Sequence, residues 1–389
     1  MKKSLFAVAA VTAFAGAAQA QSSVTVYGII DAGFQGISQR QGPAKTVTNG
    51  FTGTGAETTS RLGFKGNEDL GGGARAFFTY EVGMQPESTT LSTMNNRQAF
   101  VGLGKKGLGN ASIGTQYTVL HNAVTATDVG QSNNVIGNVI RPNGGNEDNA
   151  GQGTVARSYT VRATNSLVFS SDKFAGFGVN AMYVQDGNNA TQATTAGSTV
   201  GGNRNFTGWG LAADYTWNKL YATAAYTSFK QEQTDTARAP VAQLPGTATL
   251  ASSSATATTN NPNTTDTSWY LGTTYDFGIL KGYLAYVNQK QSSNYNNNTY
   301  YSRTAQQIGV RSYITPVIEG WASIGNGRIN LSGNVAPTTN FNAWQLGSNY
   351  YLSKRTNLYA IYGQSISSGT VSVSGGAGSG YALGLRHTF

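Results

Sequence analysis

The 389-residue chain carries a formal net charge of +9, yet only 11% of its residues are charged, against about 25% in an average soluble domain. It has 50 glycines, 21 tyrosines and no cysteine, so disulfides and thiolate metal sites are excluded. Mean hydropathy is −0.29, and no stretch beyond the leader is apolar for about eighteen positions, which excludes a membrane-spanning helix there.

The first element in chain order is that leader. "MKKSLFAVAAVTAFAGAAQA" joins Lys2 and Lys3 to an apolar stretch from Leu5 to Ala18 and a small-x-small site, Ala18-Gln19-Ala20. The pattern predicts a signal peptide over 1–20, cleaved after Ala20, with 21–389 as the exported domain. Without Lys2 and Lys3, 24 of the 26 basic residues remain against 17 acidic, a formal +7.

A period of two follows. "VTVYGIIDAGF" places Val24, Val26, Gly28, Ile30, Ala32 and Phe34 on one face. "TSRLGFKG" sets Leu62 and Phe64 against Arg61, Gly63 and Lys65, and "ARAFFTYEV" sets Phe78 and Tyr80 against Arg75, Thr79 and Glu81. Such alternation predicts half-buried strands. In "NRQAFVGL", Arg97 shares parity with Ala99, Val101 and Leu103, so the strand is either bulged there or turned toward a subunit contact. "VRATNSLVFS" puts Arg162, Thr164 and Ser166 opposite Asn165, Leu167 and Phe169.

Three later strands share one grammar of aromatic, aliphatic, small, aromatic. Trp209 to Tyr215, Trp269 to Tyr275 and Trp344 to Tyr350 each put aromatics at both ends of an apolar face. Six residues at about 3.3 Å span roughly 20 Å, close to the apolar band between the two aromatic girdles of an outer-membrane barrel. The closing "YALGLRHTF" adds Tyr381, Leu383 and Leu385 to that face, with Phe389 in the lower girdle. Short polar turns alternate with long polar stretches at roughly 35–57, 84–95, 118–161, 187–204, 231–266, 291–302, 328–339 and 366–378. Seven turns and eight long loops separate sixteen strands, so the expected fold is all-β, an antiparallel transmembrane barrel closed by pairing its first and last strands.

These segments resemble the general, trimeric porins of Gram-negative bacteria, in particular the β-proteobacterial porin family. "SSVTVYGIIDAGF", "SRLGFKGNEDLGGGARAFFTYE", "NRQAFVGLGKKGLGNASIGTQY", "RATNSLVFSSDKFAGFGVNAMY", "YYLSKRTNLYAIYG" and "YALGLRHTF" carry the likeness over essentially all of 21–389. The resemblance implies a sixteen-stranded barrel, a homotrimer and a third loop folded into the lumen as a constriction. It also implies lumenal arginines at Arg61 and Arg97, and a terminal Phe389 read by the barrel-insertion machinery.

Parity sends Arg61, Lys65, Arg75 and Arg162 into the lumen, since a lipid-facing arginine near the midplane costs about 2–4 kcal/mol. With Arg97 they form the expected basic wall of the constriction, facing Glu147 and Asp148 of the infolded loop. The expected function is passive diffusion of small hydrophilic solutes and ions through the outer membrane, with preference for anions. The alternatives are a substrate-specific channel, or a loop-mediated adhesin. The bases could instead face a wide vestibule or bind lipopolysaccharide phosphates, so outer-membrane lipid and lipopolysaccharide are expected neighbours. No cofactor is expected. His121 and His387 are the only histidines, and His121 with Ser112 or Asp128 is a poor hydrolase set. The scattered basic residues and export argue against nucleic acid as a partner.

Overall fold

The computed structural model describes residues 23–52, 54–89, 95–140, 162–185, 190–192, 202–235, 263–294, 300–331, 338–369 and 376–389. The sequence-predicted leader lies outside them. The first half of the chain gives β1 (Ser23–Gln41), β2 (Ala44–Thr52), β3 (Arg61–Gly71), β4 (Ala74–Gly83), β5 (Asn95–Lys105) and β6 (Gly109–Tyr117). Helix α1 (Val119–Thr127) comes next, then β7 (Arg162–Ser171), β8 (Phe177–Gln185) and β9 (Ala190–Gln192). The second half gives β10 (Gly202–Trp217), β11 (Leu220–Asp235), β12 (Asn263–Asp276), β13 (Lys281–Ser293) and β14 (Tyr300–Thr315). It ends with β15 (Ile318–Leu331), β16 (Thr338–Tyr351), β17 (Thr356–Gly369) and β18 (Gly376–Thr388).

All eighteen strands join one antiparallel sheet, and β1 pairs with β18 to close it. The lower half of β1 pairs with β3 and its upper half with β2, so β2 and β3 together make one stave. β8 and β9 likewise share the flank of β10. The eighteen segments are therefore sixteen staves, and closure leaves no strand edge to face lipid.

The two-residue period sorts the side chains as expected. Trp209, Leu211, Leu271, Ile308, Leu346, Leu383 and Leu385 stand exposed on the outer surface. Trp209, with half its surface open, lies 5.1 Å from Tyr226 on the next strand; Trp269 pairs with Tyr286 and Trp344 with Tyr362. Nearer the short-turn end, Tyr215 packs on Phe177 and Tyr275 on Phe277, while Tyr350 and Phe389 are exposed.

The strands run further than their apolar faces. The stretch expected as a loop at 35–57 is largely the hairpin of upper β1 and β2, and β11 continues to Asp235. Beyond the apolar band both faces of a strand meet water, so pairing continues while the alternation that reveals it stops.

Glycines admit large rings onto the wall. The Phe389 ring covers Gly28, where a Cβ would collide with it, and Gly28 and Phe389 exchange two backbone hydrogen bonds of 3.1 Å. Replacing Gly28 with leucine is expected to displace that ring at an overpacking cost of about 1–3 kcal/mol. In heat-modifiability gels the folded band should then be lost several degrees earlier, while Gly50→Ala, into open space, should not shift it.

Candidate functional site

The inner face of β3–β7 gathers a cluster of arginines around one carboxylate. On β4, Glu81 is buried; Arg97 Nε on β5 donates to its Oε1 at 2.7 Å, and Arg61 Nη1 on β3 lies 3.9 Å away. Tyr27 of β1 donates its hydroxyl to Oε2 at 3.1 Å. Arg97 Nη2 also donates to the Tyr117 hydroxyl at 2.7 Å, and the Arg162 guanidinium lies 6.0 Å from the centre of the Tyr117 ring. Arg162 is within electrostatic range of Arg97, Arg61 and Glu81. Three guanidiniums against one carboxylate leave this wall with an excess of two positive charges.

A bulge resolves the parity of Arg97. Glu81 pairs with Gln98 but Val82 with Asn96, so Arg97 is the extra residue of β5. One inserted residue switches the faces, which brings Arg97 inward while Val101 and Leu103 remain outside. A second irregularity lies where Gly114 pairs with Ser166 but Gln116 with Ala163, so β7 carries an extra residue close to where Arg162 pairs with Tyr117.

The opposite wall is covered by residues 118–140, which fold into the barrel. Thr118 caps α1 by accepting from the His121 backbone N–H at 3.0 Å. Val119, Leu120, Ala123 and Val124 are buried in a cluster with Ala212, Ala225, Tyr270 and Val287 of the wall, so the helix lies flat against β10–β13. Beyond it, Asp128 accepts from the backbone N–H groups of Gly130 and Ser132, from Asn138 Nδ2 and from Gln307 Nε2 of β14. Arg311 Nη2 donates to the Val129 carbonyl, Arg303 Nη2 to that of Val139, and Gln345 Nε2 to those of Val135 and Ile136. Wall glycines receive the segment: a Cβ at Gly210, Gly309 or Gly363 would collide with Val119, Val129 or Ile136.

A second infolded stretch, which the sequence did not announce, joins β2 to β3. Thr58 N–H and the Tyr359 hydroxyl both donate to the Asp31 carboxylate, at 2.7 and 2.6 Å. Glu57 is held by Asn357 Nδ2 at 3.0 Å and by Arg386 at 3.5 Å. Asn134 donates to the carbonyls of Gly55 and Ala56, tying the two infolded stretches together. Among the described residues the infolded chain thus lines the lumen mainly from β8 round to β1, and it meets the arginine wall of β3–β7 through Thr58 and Thr59 beside Arg61 and through His121 beside Tyr117.

Of the residues proposed from sequence, Arg61, Arg97 and Arg162 meet in this cluster. Lys65 lies lower on the inner face of β3, its ammonium 5.5 Å from the Tyr27 ring centre. Arg75 sits next to the β3–β4 turn and donates to Asn67 and Asn110. Glu147 and Asp148 lie outside the described residues. His121, Ser112 and Asp128 are not brought together: His121 stacks on Tyr117, Ser112 donates to Gln116, and Asp128 serves the infolded segment. Alternation placed Glu81 inward, but nothing in it signalled that three arginines would converge there.

A family model described as Gram-negative porin matches residues 7–370. An outer membrane porin protein of Bordetella pertussis is 26% identical over the full length of both chains. Among solved structures, an anion-selective porin from Comamonas acidovorans superposes with a TM-score of 0.70 at 22% identity, covering 95% of this chain and all of that one. The trimer form of OmpT, an outer membrane protein of Vibrio cholerae, gives 0.60 at 13% identity, covering 95% and 99%.

Proposed function

The chain belongs to the Gram-negative porin family, and we propose that this outer-membrane diffusion pore favours anions because its narrowest level is walled by Arg61, Arg97 and Arg162. The observation that carries the preference is the excess charge: among the described residues only Glu81 pairs with the cluster, and the infolded side presents neutral Asn122, Thr125 and Gln131 to the lumen. Screening over about 8 Å at physiological salt leaves such charges effective across a narrow channel. Rings of arginine and lysine favour anions in pores. The Comamonas acidovorans protein of similar fold is described as anion-selective, which supports the reading.

A homotrimer is proposed with it, supported by the trimer form of the Vibrio cholerae fold relative. Glu147 and Asp148 as the acidic side of the constriction, contact with lipopolysaccharide, and recognition of Phe389 during barrel insertion complete the proposal.

Planar-bilayer recording in a potassium chloride gradient tests it. Current steps in threes with a reversal potential toward chloride are expected, and a cation-directed reversal potential would contradict the charge assignment. Glu81→Gln raises the excess from two charges to three and should increase the chloride-to-potassium permeability ratio by about twofold, from a Coulomb term that is roughly halved by screening.

A further inference from the structure

Below the arginine cluster, toward the short-turn end, the inner wall of β4–β7 holds a recess of about 250 Å³. It is roofed by Tyr117 and by Asn122 of α1, backed by Phe77 and Phe100, and flanked at its lower end by Arg75 and Asn110. Phe77 and Phe100 stand edge to face, with ring centres 6.3 Å apart and planes at 78°. Two glycines shape the floor: a Cβ at Gly102 would strike the Phe77 ring, and one at Gly104 would strike Asn110 and Arg75.

Two features mark this recess on the β4–β7 wall. Phe77 and Phe100 put phenyl rings on a face that must stay wetted for solutes to pass. Alternation alone would place polar groups there, as it does with Thr79 and Gln98 beside them. Arg75 lies across the Phe77 ring, 4.9 Å from its centre, and its hydrogen-bond partners are the neutral side-chain oxygens of Asn67 and Asn110. Among the described residues no carboxylate pairs with it, so its charge is available to a ligand.

We propose that the recess is a binding station for small carboxylates with a flat, aromatic body, occupied after passage of the arginine cluster. The carboxylate meets Arg75 and the Asn110 amide, while the ring completes an edge-to-face group with Phe77 and Phe100. The volume falls below the roughly 300–1,000 Å³ of sites for drug-sized molecules, which fits one ring of benzoate size and excludes fused systems. Tyr117 links the station to the constriction, because its hydroxyl takes a hydrogen bond from Arg97 while its ring roofs the recess. An anion leaving the cluster therefore has the recess as its next contact.

This inference rests on the channel reading, and one experiment separates their failures. Ion current through the full-length protein in planar bilayers is recorded with benzoate, acetate or benzyl alcohol added. Benzoate should reduce the current saturably, with a half-blocking concentration of about 1–10 mM, the range of a weak single-site ligand. Acetate lacks the ring and benzyl alcohol lacks the charge, and each should need at least about tenfold more. Phe100→Leu should raise the benzoate value about fivefold with chloride conductance unchanged, Phe100→Tyr should restore it, and Arg75→Gln should bring benzoate close to benzyl alcohol. Equal block by benzoate and acetate, or block untouched by Phe100→Leu in a protein that keeps its heat-modifiable band, overturns the station while leaving the channel standing. Absence of current steps from the wild-type protein overturns the channel itself.

Discussion

Replacing both Arg61 and Arg162 with glutamine is expected to lower the chloride-to-potassium permeability ratio about fivefold or more, bringing it close to unity. The two substitutions remove the excess charge and leave Arg97 paired with Glu81 at 2.7 Å. A unit charge about 5 Å from a permeating ion in water is worth about 0.8 kcal/mol, roughly half of which survives screening, so each arginine accounts for about a two- to fourfold bias. Arg61 reaches the buried Glu81 at 3.9 Å and donates to Thr59 and Thr58, and Arg162 has no salt bridge among the described residues, so the close 2.7 Å contact with Glu81 is left to Arg97. The barrel should therefore assemble as before. A ratio unchanged from wild type in a potassium chloride gradient would remove the cluster from its assigned role.

Asp128→Ala is expected to release the infolded segment while the barrel persists. The carboxylate is buried and takes hydrogen bonds from three groups of the segment and one of the wall. Leaving buried donors without an acceptor costs about 1–3 kcal/mol each, so even with water admitted the loss is about 4 kcal/mol, comparable to the hold on a short segment. Limited proteolysis should cleave within 118–140 at least about tenfold faster than in wild type, and open-channel current noise should rise. The heat-modifiable band should remain. Asp128→Asn, which keeps one acceptor oxygen, should fall between the two. Equal cleavage of wild type and Asp128→Ala would show that the apolar contacts of α1 hold the segment unaided.

Much of this architecture was legible because lipid and water enforce one rule over many residues. Trp209, Trp269 and Trp344 face outward, and the sixteen staves follow from the turns and loops between alternating runs. Where the rule relaxes, legibility ended. Residues 35–52 form strands with no apolar face to betray them. Parity assigns a side chain to a face but not to a height, so Arg75 and Lys65 read the same as Arg61, although Arg75 lies beside a turn. Arg97 gave a local warning by breaking the alternation, and the bulge explains it. The bonds of Asp128 to Gln307 and of Asn133 to Gln345 join residues 179 and 212 positions apart, and no short-range pattern encodes such pairings. Glu57 was read inside a solvent-facing loop and is found under Arg386 and Asn357.

Among the described residues the infolded chain upholsters mainly the side from β8 round to β1, which sets the passage off-centre, toward the staves that carry the guanidiniums. A zwitterion such as an amino acid would be turned as it slips by, its carboxylate drawn to that flank and its ammonium held toward the amide-lined side. Transit would then be sideways and oriented instead of tumbling, so mirror-image solutes would present different side chains to the same groups and could leave at different speeds.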